Sequence, residues 1–255
     1  RLFRLADTLA PIIGFALLLL IWEFLCRVLV VPSFVLPKPG DILRAAGQMP
    51  VPQWVGHLWA TLQIVVIGYV LSIVLALPLS MLLVHSRLLS RSVVPWLVIV
   101  QSTPIVAIAP IIVVTLGAGI LPRVVITCLI TFFPLVVSTT TGLRGTPEEL
   151  IELSRSLRAP RGREYLQIRL PYAVPYIFSA LKVCVTLAVI GAVVAEFVAA
   201  QKGLGYLILS DTSLFKVPQA FAALVILVGL SLALYQGVAM VERWLFPWSL
   251  PRGKR

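Results

Sequence analysis

Residues 58–84, LWATLQIVVIGYVLSIVLALPLSMLLV, run for 27 residues without a charged side chain. A helix needs only about 20 such residues to cross a hydrocarbon core of about 30 Å. Similar apolar runs recur along the whole chain. Continuous runs of this length exclude a transmembrane barrel, whose strands read as short alternating segments. Composition excludes a soluble domain: of 255 residues, 60% are apolar and 12% charged, whereas a water-facing surface goes with about a quarter charged. The expected fold class is an all-α polytopic membrane protein.

Six transmembrane helices are expected, over about 10–31, 58–84, 92–116, 120–142, 175–199 and 219–242, within one domain covering 1–255. The first residue is Arg1 rather than Met, so N-terminal residues are expected to be missing. The opening RLFRLADTLAPIIGFALLLLIWEF has a signal peptide's basic start. Its apolar run is too long and no small-residue cleavage site follows, so it reads as a retained first span.

Cations fix the orientation, because cytoplasmic loops carry the excess of Lys and Arg. With the N-terminus cytoplasmic, Arg1, Arg4, Arg87, Arg91, Arg144, Arg155, Arg158, Arg161, Arg163, Arg169, Arg243, Arg252, Lys254 and Arg255 lie inside. Lys38, Arg44, Arg123, Lys202 and Lys216 lie outside, and Arg27 and Lys182 fall within spans. Both termini are therefore expected in the cytoplasm. The net charge of +11 follows this loop distribution and does not point to nucleic acid. Cys26, Cys128 and Cys184 match no metal or disulfide spacing; His57 and His85 stand alone near span ends. With no phosphate-binding loop and no nucleophile–base pair, no catalytic residue, metal site or bound cofactor is expected.

The long cytoplasmic loop, 143–174, contains EELIELSRSLRAPRGREYLQIRLP, with four of the chain's ten acidic residues. Leu150, Leu153 and Leu157 recur at helical spacing and give an apolar edge. Thr146 is expected to cap the helix, Pro147, Glu148 and Glu149 to form its first turn, and Glu152 to pair with Arg155. Pro160 forces a break near 158–160, with a second helix from about 161 into span five. A leucine edge between charges must be buried against something, either the membrane surface or a protein.

This loop resembles that of bacterial ABC-importer permeases: E-A-A, three residues, G, nine residues, then I-x-L-P. Glu152-Leu153-Ser154 takes the first place, Arg158 the glycine place, and Ile168, Leu170 and Pro171 the last, in register without a gap. Trp22-Glu23, PSFVLPKPGDIL, FFPLVVSTTTGL and GAVVAEF…GLGYLI extend the likeness to the nitrate, sulfonate, taurine and pyrimidine-precursor branch. The resemblance implies a type I ABC-importer permease fold in the bacterial inner membrane. It implies two permease copies in a homodimer, a cytoplasmic ATP-binding cassette ATPase carrying the ATP and Mg, and a periplasmic or lipid-anchored substrate-binding protein. It also implies that Glu152, Leu153, Ser154, Arg155, Leu157, Arg158, Ala159, Pro160, Arg161, Ile168, Leu170 and Pro171 couple the chain to the ATPase. Two departures stand out. Leu153-Ser154 replaces two alanines. Arg158 should resist the positive φ that glycine permits, so Ala159-Pro160 or Gly162 is expected to carry the turn.

Charges within spans each ask for a reason, since insertion of one costs about 2.5–3.5 kcal/mol. Glu23 and Arg27 are expected to pair at i, i+4, and Lys182 to extend to the interface. For Glu196 a bond to the Gly203-Leu204-Gly205 turn competes with a gating role. QSTPIVAIAP, with prolines six residues apart, is expected to bend span three, Gln101, Ser102 and Thr103 satisfying the freed backbone; beside a translocation pathway this irregularity would be tolerated. An ion-coupled secondary transporter, using Glu23 or Glu196, remains the alternative class. By resemblance the favoured cargo is a small nitrogen heterocycle, such as a pyrimidine thiamine precursor or a riboflavin-like compound, over taurine, sulfonate or nitrate.

Overall fold

The computed structural model describes residues 2–250, with the side chains of 2–9, 11 and 12 outside the description. Of the cations counted for orientation, Arg1, Arg252, Lys254 and Arg255 therefore lie outside the described residues, and the side chain of Arg4 lies outside the description. All regular structure among the described residues is helical. Helix α1 is Leu2–Val28, α2 Pro39–Gln48, α3 Val51–His85, α4 Arg87–Ser102, α5 Ile105–Leu116 and α6 Ile120–Arg144. Then come α7 Glu148–Ser156, α8 Arg161–Glu164, a π-helical turn Tyr165–Arg169, α9 Leu170–Ala199, α10 Leu204–Ser213 and α11 Val217–Leu245.

Among the described residues four helices are long and apolar enough to cross a membrane: Val51–His85, Ile120–Arg144, Arg161–Ala199 and Val217–Leu245. Helices α4 and α5 make a fifth only as a broken pair, bent by 96°. The bend falls at Thr103–Pro104. Pro104 has no N–H to continue the ladder, and the Ser102 and Thr103 hydroxyls donate to the carbonyls of Val98 (2.8 Å) and Ile99 (3.1 Å). Gln101 points outward and is exposed.

The centre of the bundle is α3, α6 and α9, with α11 closing one side. The closeness of the three central helices comes from small residues. A Cβ on Gly68 of α3 would lie 2.7 Å from the Thr127 side chain of α6, and one on Gly191 of α9 would lie 2.9 Å from the Thr127 Cα. Small residues at crossings let backbones approach, which is how helices associate where burial from water supplies no drive. Around this contact lie Ile64, Val65, Ala188, Val189 and Ala192, and one level away Ala76, Leu83, Leu135, Val136 and Cys184. Hydroxyls in this interior return to backbone: Ser80 donates to the Ala76 and Val136 carbonyls (2.7 and 3.2 Å) and Thr131 to Thr127 (3.0 Å).

Helix α1 stands at the edge, tied to α2. Glu23 and Arg27 form the expected pair at 2.7 Å, and Glu23 has a second partner, the Gly40 N–H at the start of α2 (3.1 Å). A carboxylate suits a helix N-terminus. Lys182 departs from expectation. It has an ion-pair partner that the sequence did not suggest, Glu242 of α11, which also accepts from the Ser249 hydroxyl (3.1 Å). Burial of Glu242 explains the pairing, since a lone buried carboxylate would be far costlier.

Replacing Gly191 with leucine should force α6 and α9 apart. Overpacking of this kind costs about 1–3 kcal/mol, so the thermal midpoint of the detergent-solubilised protein should drop clearly. Gly229→Leu, where a side chain would meet nothing within 4 Å, should leave that midpoint unchanged.

Candidate functional site

The segment between α6 and α9 is built on one ion pair. Glu164 is only 7% exposed, and both Nε and a terminal nitrogen of Arg169 lie 2.8 Å from its Oε1. Another nitrogen of Arg169 donates to the Leu143 carbonyl at the end of α6 (3.3 Å). The guanidinium lies 5.3 Å from the Tyr165 ring centre. The π turn makes this possible. Residues five apart diverge on an α-helix, but over 165–169 each turn takes up one extra residue and brings position 164 under 169.

Arg144 fixes the other side of the junction, donating to the Ser90 hydroxyl (2.7 Å) and the Leu83 carbonyl (3.3 Å). Between these anchors α7 lies as a short arm. Thr146 does not cap it: its hydroxyl donates back to the Leu143 carbonyl (3.2 Å), and Pro147 occupies the cap position. Proline there needs no N–H partner and presets the turn. Glu148 and Glu149 fill the first turn as expected, near the positive end of the helix dipole.

Ile151 and Ser154 turn inward and are buried, while Leu150, Leu153 and Leu157 are 43%, 58% and 74% exposed. The leucine edge is thus unsatisfied by this chain. It lines one groove with Ser154, Arg158, Ala159, Pro160 and Ile168. Arg155 and Arg161 lie on the opposite side, facing Glu164. The expected Glu152–Arg155 pair is not formed. Arg155 is instead 3.9 Å from Glu164, and Glu152 is exposed. Leu170 packs with Leu143, Ala173 and Ile177 between α6 and α9, and Pro171 is exposed in the first turn of α9.

Arg158 corrects the sequence expectation most directly. It takes the positive φ itself, at +53°. Its N–H donates to the Arg155 carbonyl (2.9 Å) and the Ala159 N–H to the Ser154 carbonyl (3.0 Å). These are the two bonds of a Schellman C-cap, whose left-handed position glycine usually fills. The bonds, with Pro160 fixing the chain beyond, hold an arginine where it costs about 1–2 kcal/mol. Neither Ala159-Pro160 nor Gly162 carries the turn.

At the far ends of α3 and α9 a second cluster surrounds the turn before α10. Glu196, 1% exposed, accepts from the Gly205 N–H at 2.7 Å. The Leu204 N–H donates to the Thr61 hydroxyl (2.8 Å) and the Gly203 N–H to His57 Nδ1 (3.2 Å). Gly203 has φ +139°, and a Cβ there would lie 2.2 Å from the Glu196 carboxyl carbon. The carboxylate and the glycines are one unit that folds α10 back against α9. Gln101, Ser102 and Thr103 lie at the α4–α5 bend, and the structure brings none of them to Glu196 by hydrogen bond. Sequence reasoning missed Glu164, Arg169, His57 and Thr61. The available signals were the i, i+5 opposite charges and the hydroxyl and imidazole facing a Gly-x-Gly turn.

Residues 68–247 match the family described as binding-protein-dependent transport system inner membrane component. The chain belongs to this family. It is 36% identical over 245 residues to the formylaminopyrimidine transport permease ThiX of Halalkalibacterium halodurans, covering 96% of this chain and 98% of that one. It is likewise 36% identical over 236 residues to the riboflavin transport system permease RibX of Chloroflexus aurantiacus, covering 91% and 87%. A permease named for aliphatic sulfonates transport in Bacillus subtilis is 26% identical over 234 residues, covering 91% and 85%. Among solved structures, the inward-facing MetNI methionine ABC transporter aligns over 76% of this chain and 98% of that one. The TM-score is 0.66 at 23% identity, a likeness of fold. The chain is thus an ABC-importer permease, a membrane component whose family works with an ATPase and a binding protein. Family membership decides against the ion-coupled transporter.

Arg158→Gly should relieve the strained C-cap and raise the thermal midpoint slightly, by a gain under about 1 kcal/mol once unfolded-chain entropy is counted. Arg158→Val should do the reverse, because a β-branched residue resists positive φ most strongly.

Proposed function

We propose that this chain lines the translocation pathway as one of two identical copies and receives its drive through 148–171. The observation that carries the reading is the leucine edge of α7. Leu150, Leu153 and Leu157 are exposed on an arm that is otherwise well anchored, and Arg158 and Arg163 line the same groove. An apolar edge of this size on a rigid arm, with cations around it, fits a groove in a partner protein. The partner is the cytoplasmic ATPase, which holds the ATP and Mg. Glu152 and Arg158 supply rim contacts, while Arg155 and Arg161 brace the arm from its far side, where they face Glu164. Ser154, Ala159 and Pro160 shape the turn, and Ile168, Leu170 and Pro171 carry movement into α9. The Glu164–Arg169 pair makes α7 move with the ends of α6 and α9.

On this reading the arm and both termini lie in the cytoplasm of a bacterial cell and the α2 and α10 turns lie outside, where a periplasmic or lipid-anchored binding protein delivers substrate. Spans are then α1, α3, the α4–α5 pair, α6, α9 and α11. The exposed bend at Gln101, Ser102 and Thr103 is the part of the chain suited to line a pathway completed by the second copy, with lipid around the remaining faces. Glu196 is read as the carboxylate that holds α10, with gating as a consequence of that hold. Two replacements that put a charge on the edge, Leu153→Glu and Leu157→Glu, should each abolish co-purification of the ATPase. The permease itself should still reach the membrane. Normal co-purification would remove the reading.

For cargo we propose a small nitrogen heterocycle, a pyrimidine thiamine precursor or riboflavin-like compound. The support is the 36% identity to permeases named for formylaminopyrimidine and riboflavin, against 26% to one named for sulfonates. The co-encoded binding protein should gain thermal stability with a pyrimidine or flavin ligand. A gain with taurine or nitrate alone would replace this assignment.

A further inference from the structure

A second groove lies on the face of the arm away from the leucine edge. Pro78, Met81 and Leu82 of α3 form one wall, and Tyr165 and Leu166 of the π turn form the other. Its lining is almost wholly apolar at the Pro78 end. Leu82 and Leu166 are 53% and 66% exposed. The other end changes character. His85, the last residue of α3, and Arg161 close the groove. His85 sits against Tyr165, ring centres 5.9 Å apart. Beyond them the cleft continues to Arg155 and Arg158. Glu164 is the one carboxylate there, and its short-range partner is Arg169. Among the described residues neither Arg158 nor Arg161 forms an ion pair.

The groove therefore has a direction. It follows α3 from Pro78 to His85, roughly 10 Å at 1.5 Å per residue. Its apolar end lies inside the span and its cationic end lies where the span leaves the membrane. A soluble anion would leave the apolar end bare, and an acyl chain alone would leave the cations unmatched. The ATPase is already assigned to the opposite side of α7, with Leu150, Leu153 and Leu157. Fixed cations at a cytoplasmic interface each attract anionic headgroups, and an apolar trough beside them supplies room for a chain.

We propose that this groove binds an anionic phospholipid of the cytoplasmic leaflet, one acyl chain lying along Pro78–Leu82 against Leu166 and the phosphate meeting Arg161. The proposal rests on the cytoplasmic placement of the arm given under Proposed function. The lipid would wedge between the end of α3 and the π turn, so the membrane's charge would bear on the same junction that anchors α7.

The test uses the permease–ATPase complex in nanodiscs with photoactivatable phosphatidylglycerol, the reactive group midway along an acyl chain. Adducts are expected on peptides carrying Met81–Leu82 or Leu166, and a matched phosphatidylcholine probe should label them far less. Arg161→Gln should lower phosphatidylglycerol labelling roughly five-fold, while Arg161→Lys should retain most of it. Millimolar inorganic phosphate should not compete, because the trough contributes too. Equal labelling by the two lipids would overturn the proposal, as would full competition by phosphate. Labelling seen only after the ATPase or second permease copy is removed would also overturn it and identify a protein interface. Sidedness is read separately, from a cysteine placed at Ser156 in intact cells. If an impermeant reagent modifies it from outside, the orientation fails, whereas loss of lipid preference with correct sidedness fails this proposal alone.

Discussion

The ion pair between Glu164 and Arg169 joins three elements that would otherwise move apart. Arg169 also holds the Leu143 carbonyl, so the end of α6, the arm α7–α8 and the start of α9 share one anchor. Removing one partner of a buried pair typically costs about 3–5 kcal/mol, because the other is left uncompensated. The pair is nearly buried on both sides, at 13% and 9% side-chain exposure. Solvent screens it less than it screens the 70%-exposed Arg155. On the proposed reading, in which the driving reaction takes place on another subunit, a rigid junction matters. Force applied to α7 is useful only if α6 and α9 follow.

The same logic runs through the membrane interior. α6 and α9 meet closely at Thr127 and Gly191, and α3 closes on the same threonine through Gly68. Such contacts leave little slack between the three central helices. At the opposite end the Glu196–Gly203–Gly205 unit fixes α10 to α9, while Thr61 and His57 bind it to α3. Movement entering at the arm end of α9 would therefore meet a well-tied structure at the other. The 96° bend between α4 and α5 is the conspicuous irregular place along this path, and its backbone is relieved locally by Ser102 and Thr103.

Local chemistry was legible in the sequence where one residue type dictates geometry. Pro104 announced a bend, Pro160 a break, the Leu150–Leu153–Leu157 spacing an apolar edge, and Glu23–Arg27 a pair. The size of the bend was not legible, since it depends on how α5 packs against α6 and α9. Three departures share one cause: tertiary contact outweighed local preference. Arg158 accepts a left-handed φ because two C-cap bonds and Pro160 require it. Thr146 is drawn to Leu143 and leaves the cap to Pro147. Lys182 finds Glu242, sixty residues on, where a sequence reading sees only a cation near an interface. Glu164 and Arg169 were hidden because α-helical spacing puts positions five apart on different faces, and only the π turn reunites them.

On the proposed reading the Glu164–Arg169 pair transmits ATPase movement into the spans. The most direct measurement is the ratio of binding-protein-stimulated to basal ATP hydrolysis in the reconstituted complex, compared for Glu164→Gln, Arg169→Gln and the exchanged double variant Glu164→Arg/Arg169→Glu. Each complex should assemble, with stimulation collapsing toward unity in each single variant and recovering in part in the exchange. Stimulation at the unaltered level in an assembled Glu164→Gln complex would contradict it.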